Sequence, residues 1–316
     1  MKPGVRKSLL MVIAGVGAAS GVACLWWWPH EGSQPNPGLT ADGEGIFDAE
    51  FSLSTLRHVI ATGGCELTRE AAIGWLDQQA RERVEPSADT QTVLFSILSD
   101  AEGHAAWPMG YREHLFNSAC NLLRVRPSDA TAARLAGILY GHVRSHSDRT
   151  LRLYSLQHID SLRKAGRLGE PLAGAIHQTL EELAAHGGSD IAGTVIQLLA
   201  EWDGAPSGTT PEVLELAART AADRRRPVDI RVSAIHTAGA TGLVAARAIA
   251  ADPAEPILLR KAAIACLGRD GNASDLTTLE TLKDGHFRLA QAAEPALVRL
   301  KNRIEGESSP SLIPYP

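Results

Sequence analysis

The chain has 316 residues, a formal net charge of −5, and an aromatic content of only 5%. A chain of this length can bury a sizeable hydrophobic core in one or two domains. Its mildly acidic body lacks the concentrated basic face that binds phosphate backbones, so the composition argues against a nucleic-acid-binding protein. Runs of β-branched residues bounded by turn residues are scarce, and the sequence therefore predicts an all-α protein.

The first 28 residues have the pattern of a membrane anchor. A basic leader, residues 1–8, precedes an uncharged apolar stretch at residues 9–28. About 20 apolar residues make a helix about 30 Å long, which matches the hydrocarbon core of a bilayer. Three tryptophans end the stretch, at the depth that indole rings prefer, and the basic leader should stay in the cytoplasm. The pattern predicts a transmembrane signal anchor with the body outside the cytoplasm, in the periplasm or at the cell surface.

Two other fates of this segment remain open. The small residues of GVAC, residues 21–24, suit a signal-peptidase site, which would release a secreted body. The same residues resemble a bacterial lipobox in which Cys24 would be lipidated, although Gly21 stands where that motif has leucine. All three interpretations export the body. Gly17 and Gly21 also form a GxxxG step, through which two such helices could pair as a homodimer.

The remainder divides by composition into a linker, a body and a tail. Residues 29–46 are rich in Pro and Gly and lack apolar periodicity, which is typical of a flexible linker. Residues 47–304 are predicted to form a row of short helices joined by brief loops. Residues 305–316 are predicted to be a disordered tail.

Several helix starts in the body are marked by capping residues. Thr68 is a predicted N-cap, and Ser128 follows proline in a strong start signal. Thr210 is a further N-cap, with Pro211 at the first helical position.

A unit of about 29 residues recurs near the C-terminus. PILLRKAAIACLG, residues 256–268, aligns without a gap with PVDIRVSAIHTAG, residues 227–239, and this pairs Arg260 with Arg231. The first of these segments carries a broad apolar stripe, made of Leu258, Ala262 and Cys266 beside Leu259, Ala263 and Leu267. Gly268 is predicted to end the helix in the left-handed conformation. A second amphipathic helix follows at residues 276–282.

A third, degenerate copy begins at His286, with Arg288 in the arginine position and Pro295 in its interior. A fixed period of 28–29 residues indicates a repeat array. The recurring arginines suggest a structural role, such as pairing with a carboxylate of the adjoining repeat.

These copies resemble HEAT repeats, in particular the short variety shared with the bilin-lyase family. The shared pattern is an arginine, an alanine-rich stripe and a leucine-glycine, followed by a leucine-spaced helix and an aspartate, here Asp284. The resemblance covers residues 227–303 and implies an α-solenoid of stacked helical hairpins. It is a match of fold, and a fold does not carry function.

Three of the four cysteines lie in the body. Cys266 lies on the apolar stripe, where a small buried thiol is ordinary. Cys65 and Cys120 could form a disulfide in an oxidising compartment, and their geometry is open at this point.

His142 and His146 have the i, i+4 spacing at which two imidazoles on one helix can bind a metal, and Asp148 could add an oxygen ligand. The HExxH glutamate and a third ligand are missing, so two exposed histidines near a helix end are the favoured interpretation. The sequence predicts no cofactor and no catalytic residue, since it holds none of the standard nucleotide, nucleophile or metal motifs.

The most direct functional interpretation is a membrane-tethered, exported scaffold that binds a protein partner without catalysis. In a stacked array, the second helix of each hairpin is expected to line a concave face. Arg247, Thr278 and Glu280 are the predicted partner-binding residues on that face. The alternatives are an enzyme built on the same solenoid, either lyase-like or a metal-dependent hydrolase using the two histidines, and a passive spacer.

Overall fold

The computed structural model describes residues 51–99, 107–186, 189–203 and 210–308. The predicted leader, anchor and linker lie outside these ranges, with Gly17, Gly21 and Cys24. Among the residues described, no helix is both long and apolar enough to cross a membrane.

The regular structure of the described ranges is entirely helical. Fourteen α-helices follow one another: α1 Leu53–Thr62, α2 Glu66–Arg81, α3 Ala88–Ser99, α4 Met109–Leu123, α5 Asp129–Ser145, α6 Arg149–Lys164, α7 Leu172–Ala185, α8 Ala192–Asp203, α9 Pro211–Ala222, α10 Val228–Ala238, α11 Leu243–Ala251, α12 Ile257–Asp270, α13 Asp275–Lys283 and α14 Phe287–Ser308. A 3-10 turn, Gly239–Gly242, joins α10 to α11. The last helix runs four residues beyond the predicted end of the body at 304, because the apolar pattern of α14 continues through Ile304.

Capping side chains begin several of these helices. Ser128 accepts a hydrogen bond from the amide of Thr131 at the start of α5, as predicted. Thr210 precedes Pro211 at the start of α9, also as predicted. Thr68 does not cap α2, because the helix begins one turn earlier, after Cys65.

The helices pack in adjacent pairs and in two rows. The even-numbered helices lie side by side from α2 to α14, and each contacts the next. Odd-numbered helices pack beside their even-numbered neighbours, as α9 does with α10, α11 with α12 and α13 with α14. Helices this short are marginal alone and depend on such packing. The arrangement is compatible with a helical-repeat solenoid.

Buried Leu, Ile, Val and Ala side chains fill the space between the rows. One cluster extends from Leu56 to Ala217 and a second from Ala221 to Leu300. The apolar stripe predicted on α12 is buried, with the exception of Leu258, whose side chain is 61% exposed. Leu258 lies in the first turn of α12, beyond the reach of neighbouring helices.

Gly268 does not end α12, contrary to the prediction. It lies inside the helix, where a Cβ atom would be 2.6 Å from the Cα of Ala296 on α14. Gly193 on α8 has a similar place, since its Cβ would be 3.0 Å from the Cα of Ile230 on α10. Glycine therefore permits close helix contact in the even-numbered row, whereas Gly239, with a φ of 54°, does end α10 in the left-handed region.

One arginine contact recurs through the array. The Nε of Arg231 on α10 donates to the carbonyl of Ala221 on α9, ten residues earlier, at 2.8 Å. Arg260 on α12 donates to the carbonyl of Ala250 on α11, also ten residues earlier, at 3.1 Å. Arg152 on α6 makes the related contact with Val143 of α5 at 3.2 Å. In each case the arginine joins the end of an odd-numbered helix to the next even-numbered one.

Two of these arginines also hold a carboxylate in the loop that precedes the next even-numbered helix. Arg231 binds both oxygens of Glu255 at 2.8 and 2.9 Å, and Arg152 binds Asp190 at 2.7 Å. The predicted pairing with a carboxylate is therefore found for Arg231. Hydrogen bonds from Arg231 lower the pKa of Glu255.

Arg288 does not take the arginine place, contrary to the prediction. Its side chain is exposed and lies over the ring of Phe287. Twenty-nine residues after Arg260 the chain has Leu289, which is buried in the core. Relative to the alignment predicted from the sequence, the third copy is shifted by one residue, so that Leu289 and not Arg288 stands in the arginine position.

The buried Arg231–Glu255 pair should be worth a measurable share of the free energy of unfolding. Arg231→Met leaves a carboxylate at a site that is only 7% exposed, with a single remaining contact to Arg224. We expect a loss of about 3 kcal/mol by chemical denaturation, and we expect the double variant R231M/E255M to recover most of it.

Arg225→Met is the matched control, because its side chain is 89% exposed, and it should change the free energy of unfolding by less than about 0.5 kcal/mol. Equal effects of R231M and R225M would contradict the structural role of the buried pair.

Candidate functional site

The three predicted partner-binding residues lie on odd-numbered helices. Arg247 is on α11, and its Nε and Nη2 bind the two carboxylate oxygens of Asp275 at 2.6 and 3.0 Å. Asp275 is buried at the start of α13, and it also accepts a hydrogen bond from the amide of Asn272. Hydrogen bonds from Arg247 lower the pKa of Asp275. Arg247 therefore joins α11 to α13, and its guanidinium is not free for a partner.

Thr278 and Glu280 on α13 are the other two predicted residues. Thr278 is half-buried, whereas Glu280 is exposed and pairs with Lys301 of α14 at 3.0 Å. Both members of that pair are about half exposed, so it contributes little to stability and could yield to another contact.

Exposed side chains on α11 and α13, the two helices that Arg247 joins, define a candidate surface. We define the α11/α13 surface by its exposed residues, Val244, Ala248, Thr277, Glu280 and Thr281. Val244 is the most exposed large apolar side chain among the residues described, at 78%. An exposed apolar residue together with short polar residues is a composition suited to a protein contact.

A cavity of about 1240 Å³ lies where α3 and α5 end and α4 and α6 begin. His142, His146 and Asp148 line it, together with Arg149. It is the place where a metal site predicted from the two histidines would have to form.

His142 is buried, and one hydrogen bond fixes its tautomer. Its Nε2 lies 2.8 Å from the carbonyl of Leu98. Because a carbonyl only accepts, the ring proton is on Nε2, and Nδ1 is the remaining acceptor. The side chain is 8% exposed, so the prediction of two exposed histidines is wrong for His142. Burial lowers the pKa of His142, which keeps the ring neutral.

The other two candidate ligands shape the loop between α5 and α6. The Nδ1 of His146 accepts a hydrogen bond from the amide of Asp148 at 2.9 Å. The carboxylate of Asp148 in turn accepts from the amides of Thr150 and Leu151, and so caps α6. In the described part of the chain, no group of three or more His, Cys, Asp or Glu side chains is placed to hold a metal ion.

Cys65 and Cys120 are free thiols, so the predicted disulfide is absent from the structure. Cys65 is exposed at the start of α2, whereas the side chain of Cys120 is fully buried on α4 among core residues. A hydrogen bond from Thr68 lowers the pKa of Cys65, and burial raises the pKa of Cys120. Cys266 is buried as predicted, and burial raises its pKa to about 11.

Comparison with known proteins gives no family for this chain: no family model, no curated protein and no solved structure matches it. A functional argument must therefore come from its own residues.

The three body cysteines should differ sharply in reactivity. In a Cys24→Ser variant of the full chain, we expect one native thiol, Cys65, to react rapidly with a maleimide and three to react after denaturation. The counts should be the same with and without reductant. Fewer than three thiols in denaturant, restored to three by reductant, would show that a disulfide forms.

Proposed function

We propose that this protein is a non-catalytic scaffold of short HEAT-like helical repeats that is tethered outside the cytoplasm by residues 9–28 and binds a protein partner. The observation that carries the proposal is the use of the recurring charged residues. Arg152, Arg231 and Arg260 each join an odd-numbered helix to the next even-numbered one, and Arg247, which does not recur, joins α11 to α13. The polar groups that recur are thus used for assembly, and the sides of the helices remain for recognition.

The HEAT-like assignment is supported by a second contact that repeats every 29 residues. Asp223 follows α9 and its carboxylate accepts from the amide of Arg225 at 3.0 Å. Asp252 follows α11 and accepts from the amide of Ala254 at 2.8 Å. Each aspartate ends an odd-numbered helix with the same turn, eight residues before the arginine of the next helix. Two contacts with one period favour a repeat over a chance alignment.

The α11/α13 surface is the part of the array that we assign to the partner. Its apolar residue, Val244, has the most exposed large apolar side chain among the residues described, at 78%. The neighbouring threonines and Glu280 provide a polar rim. An apolar residue with polar residues beside it is a composition that suits contact with another folded protein.

The contacts of the two histidines weigh against the metal-dependent hydrolase. His142 keeps its Nε2 proton for Leu98, and His146 uses Nδ1 to shape the loop before α6. A hydrolase site that used both rings would have to break the His146 contact before binding an ion.

Site-specific crosslinking in intact cells tests the proposal. A photo-crosslinking residue at Thr277 should give a discrete adduct, and Val244→Glu should abolish that adduct because a charge is placed at the apolar centre of the interface. Val298→Glu is the matched control, since Val298 is 53% exposed on α14, in the other row, and this variant should leave the adduct unchanged.

A reporter that is active only outside the cytoplasm, fused after residue 308, checks the tether in the same cells. An adduct that is still formed by V244E would contradict the assigned surface. So would the absence of any adduct from the protein without that substitution, in cells where the reporter is active. An inactive reporter would contradict export.

A further inference from the structure

Four arginines line a groove where α2, α4 and α6 end. The groove has a volume of about 420 Å³, and its lining includes Arg83, Arg124, Arg126 and Arg167. No carboxylate is among its lining residues. The side-chain amide of Asn121 also faces it, and an adjoining cavity of about 540 Å³ shares Asn121 and Arg124 and adds Asp77. The three helices are the first members of the even-numbered row.

The positive charge of this groove is only partly compensated. Arg167 pairs with Asp129 at 2.9 Å, but the carboxylate is 96% exposed and the pair is weak. Within the described ranges, the side chains of Arg83 and Arg126 make no hydrogen bond or ion pair. Both are exposed, so their charges remain available to a ligand.

Arg124 is held at the base of the groove with one polar atom unpaired. Its Nη2 donates to the Oδ1 of Asn121 at 3.0 Å, whereas its Nε is buried without a hydrogen-bond partner. Burial lowers the pKa of Arg124. Burial, and then the charge of Arg124, lower the pKa of the neighbouring His158 to about 3, so this ring adds no second charge at neutral pH.

The backbone holds two of the arginines in a conformation that favours glycine. Arg83 has a φ of 55° and Arg126 a φ of 46°, both in the left-handed region. Glycine is the usual residue in this conformation at a helix end, and Gly166 occupies it after α6 with a φ of 66°. The amides after α2 and α6 make the same pair of hydrogen bonds, so Arg83 stands where α6 has glycine. A non-glycine residue there costs about 1 kcal/mol or more.

Compensation of helix dipoles does not account for this arrangement. A cation near a helix C-terminus stabilises the helix by about 0.3–1 kcal/mol, and the effect needs only a place in the last turn. Arg81 already occupies the last turn of α2. For Arg83, therefore, the cost of the left-handed conformation is not repaid by compensation of the α2 dipole.

We propose that this groove binds a phosphate group of a small phosphorylated ligand. Guanidinium groups match the oxygens of a phosphate in pairs, and the fork of Arg124 at the base is suited to fix its orientation. Asn121 accepts from Arg124 through its Oδ1, which leaves its amide NH₂ to donate to the ligand. The group could belong to a soluble molecule or to a lipid head group, and both offer the same chemistry.

The test uses the full chain in a neutral detergent at low ionic strength, with pyrophosphate as the probe in a calorimetric titration. We expect one site per chain and an affinity that falls as salt is added. The double variant R83G/R126G should bind at least about 10-fold more weakly, because it loses two charge-assisted contacts. Its melting temperature should be unchanged or higher, since glycine adopts the left-handed region without strain.

The matched control is R219A/R225G, which removes two exposed arginines of the α9 region. It should bind pyrophosphate like the wild type. No binding to the wild type, or equal weakening in both double variants, would overturn the proposal.

The source of the phosphate is separated by a second arm with phosphatidylcholine vesicles, with and without phosphatidic acid. The quantity compared is vesicle binding by the wild type and by R83G/R126G. Any membrane segment contributes equally to the binding of both proteins, so it does not affect the difference. If the wild type binds vesicles more strongly than R83G/R126G only when phosphatidic acid is present, the ligand is a lipid head group. If the two proteins differ in binding pyrophosphate but not in binding vesicles, the ligand is soluble.

Discussion

The buried guanidinium of Arg231 is the contact on which the C-terminal half of the array depends. Arg231 lies on α10, donates to the carbonyl of Ala221 near the end of α9, and holds Glu255 in the loop before α12. Two successive helices, α9 and α10, and the loop before α12 are therefore joined at one charged residue that is 3% exposed. A helix of about a dozen residues has little stability of its own, so the array exists through contacts between neighbours. Arg260 and Arg152 repeat the carbonyl contact, which makes the device a property of the array.

This use of charge separates assembly from recognition. The recurring arginines hold helices together, whereas the two proposed sites consist of other residues. The α11/α13 surface is on the sides of odd-numbered helices, and the arginine groove is at the ends of even-numbered ones. They belong to different helices, so a partner and a phosphorylated ligand could bind independently.

The sequence predicted the all-helical class, and it placed the helix at residues 276–282 closely. The predictions that were wrong have physical causes. The helix predicted at residues 276–282 is α13, Asp275–Lys283. Its leucines recur every three residues, a spacing that indicates one face of a helix. Gly268 was misassigned, since glycine serves equally at a helix end and at a close helix contact. The Arg152 copy was missed because its carbonyl lies nine rather than ten residues earlier and its neighbours do not match the later units.

The arginine groove was beyond local motif analysis. Its residues come from three helix ends that packing brings together, and Arg83, Arg126 and Arg167 follow one another at intervals of 43 and 41 residues. A search for arginines two or three residues after the ends of predicted helices would have found these three. The predictions on the membrane segment concern residues outside the described ranges and stay predictions.

Excision of one complete period tests the array most directly. Removing residues 227–255 joins Arg226 to Pro256. Arg260 then lies ten residues after Ala221, the spacing of the Arg231 contact. Leu259 takes the place of Ile230, which contacts Gly193. If the helices form equivalent stacked units, the shortened chain will keep its helical circular dichroism and unfold cooperatively in urea with a proportionally smaller m-value. A chain that loses its cooperative transition after this excision would contradict the account.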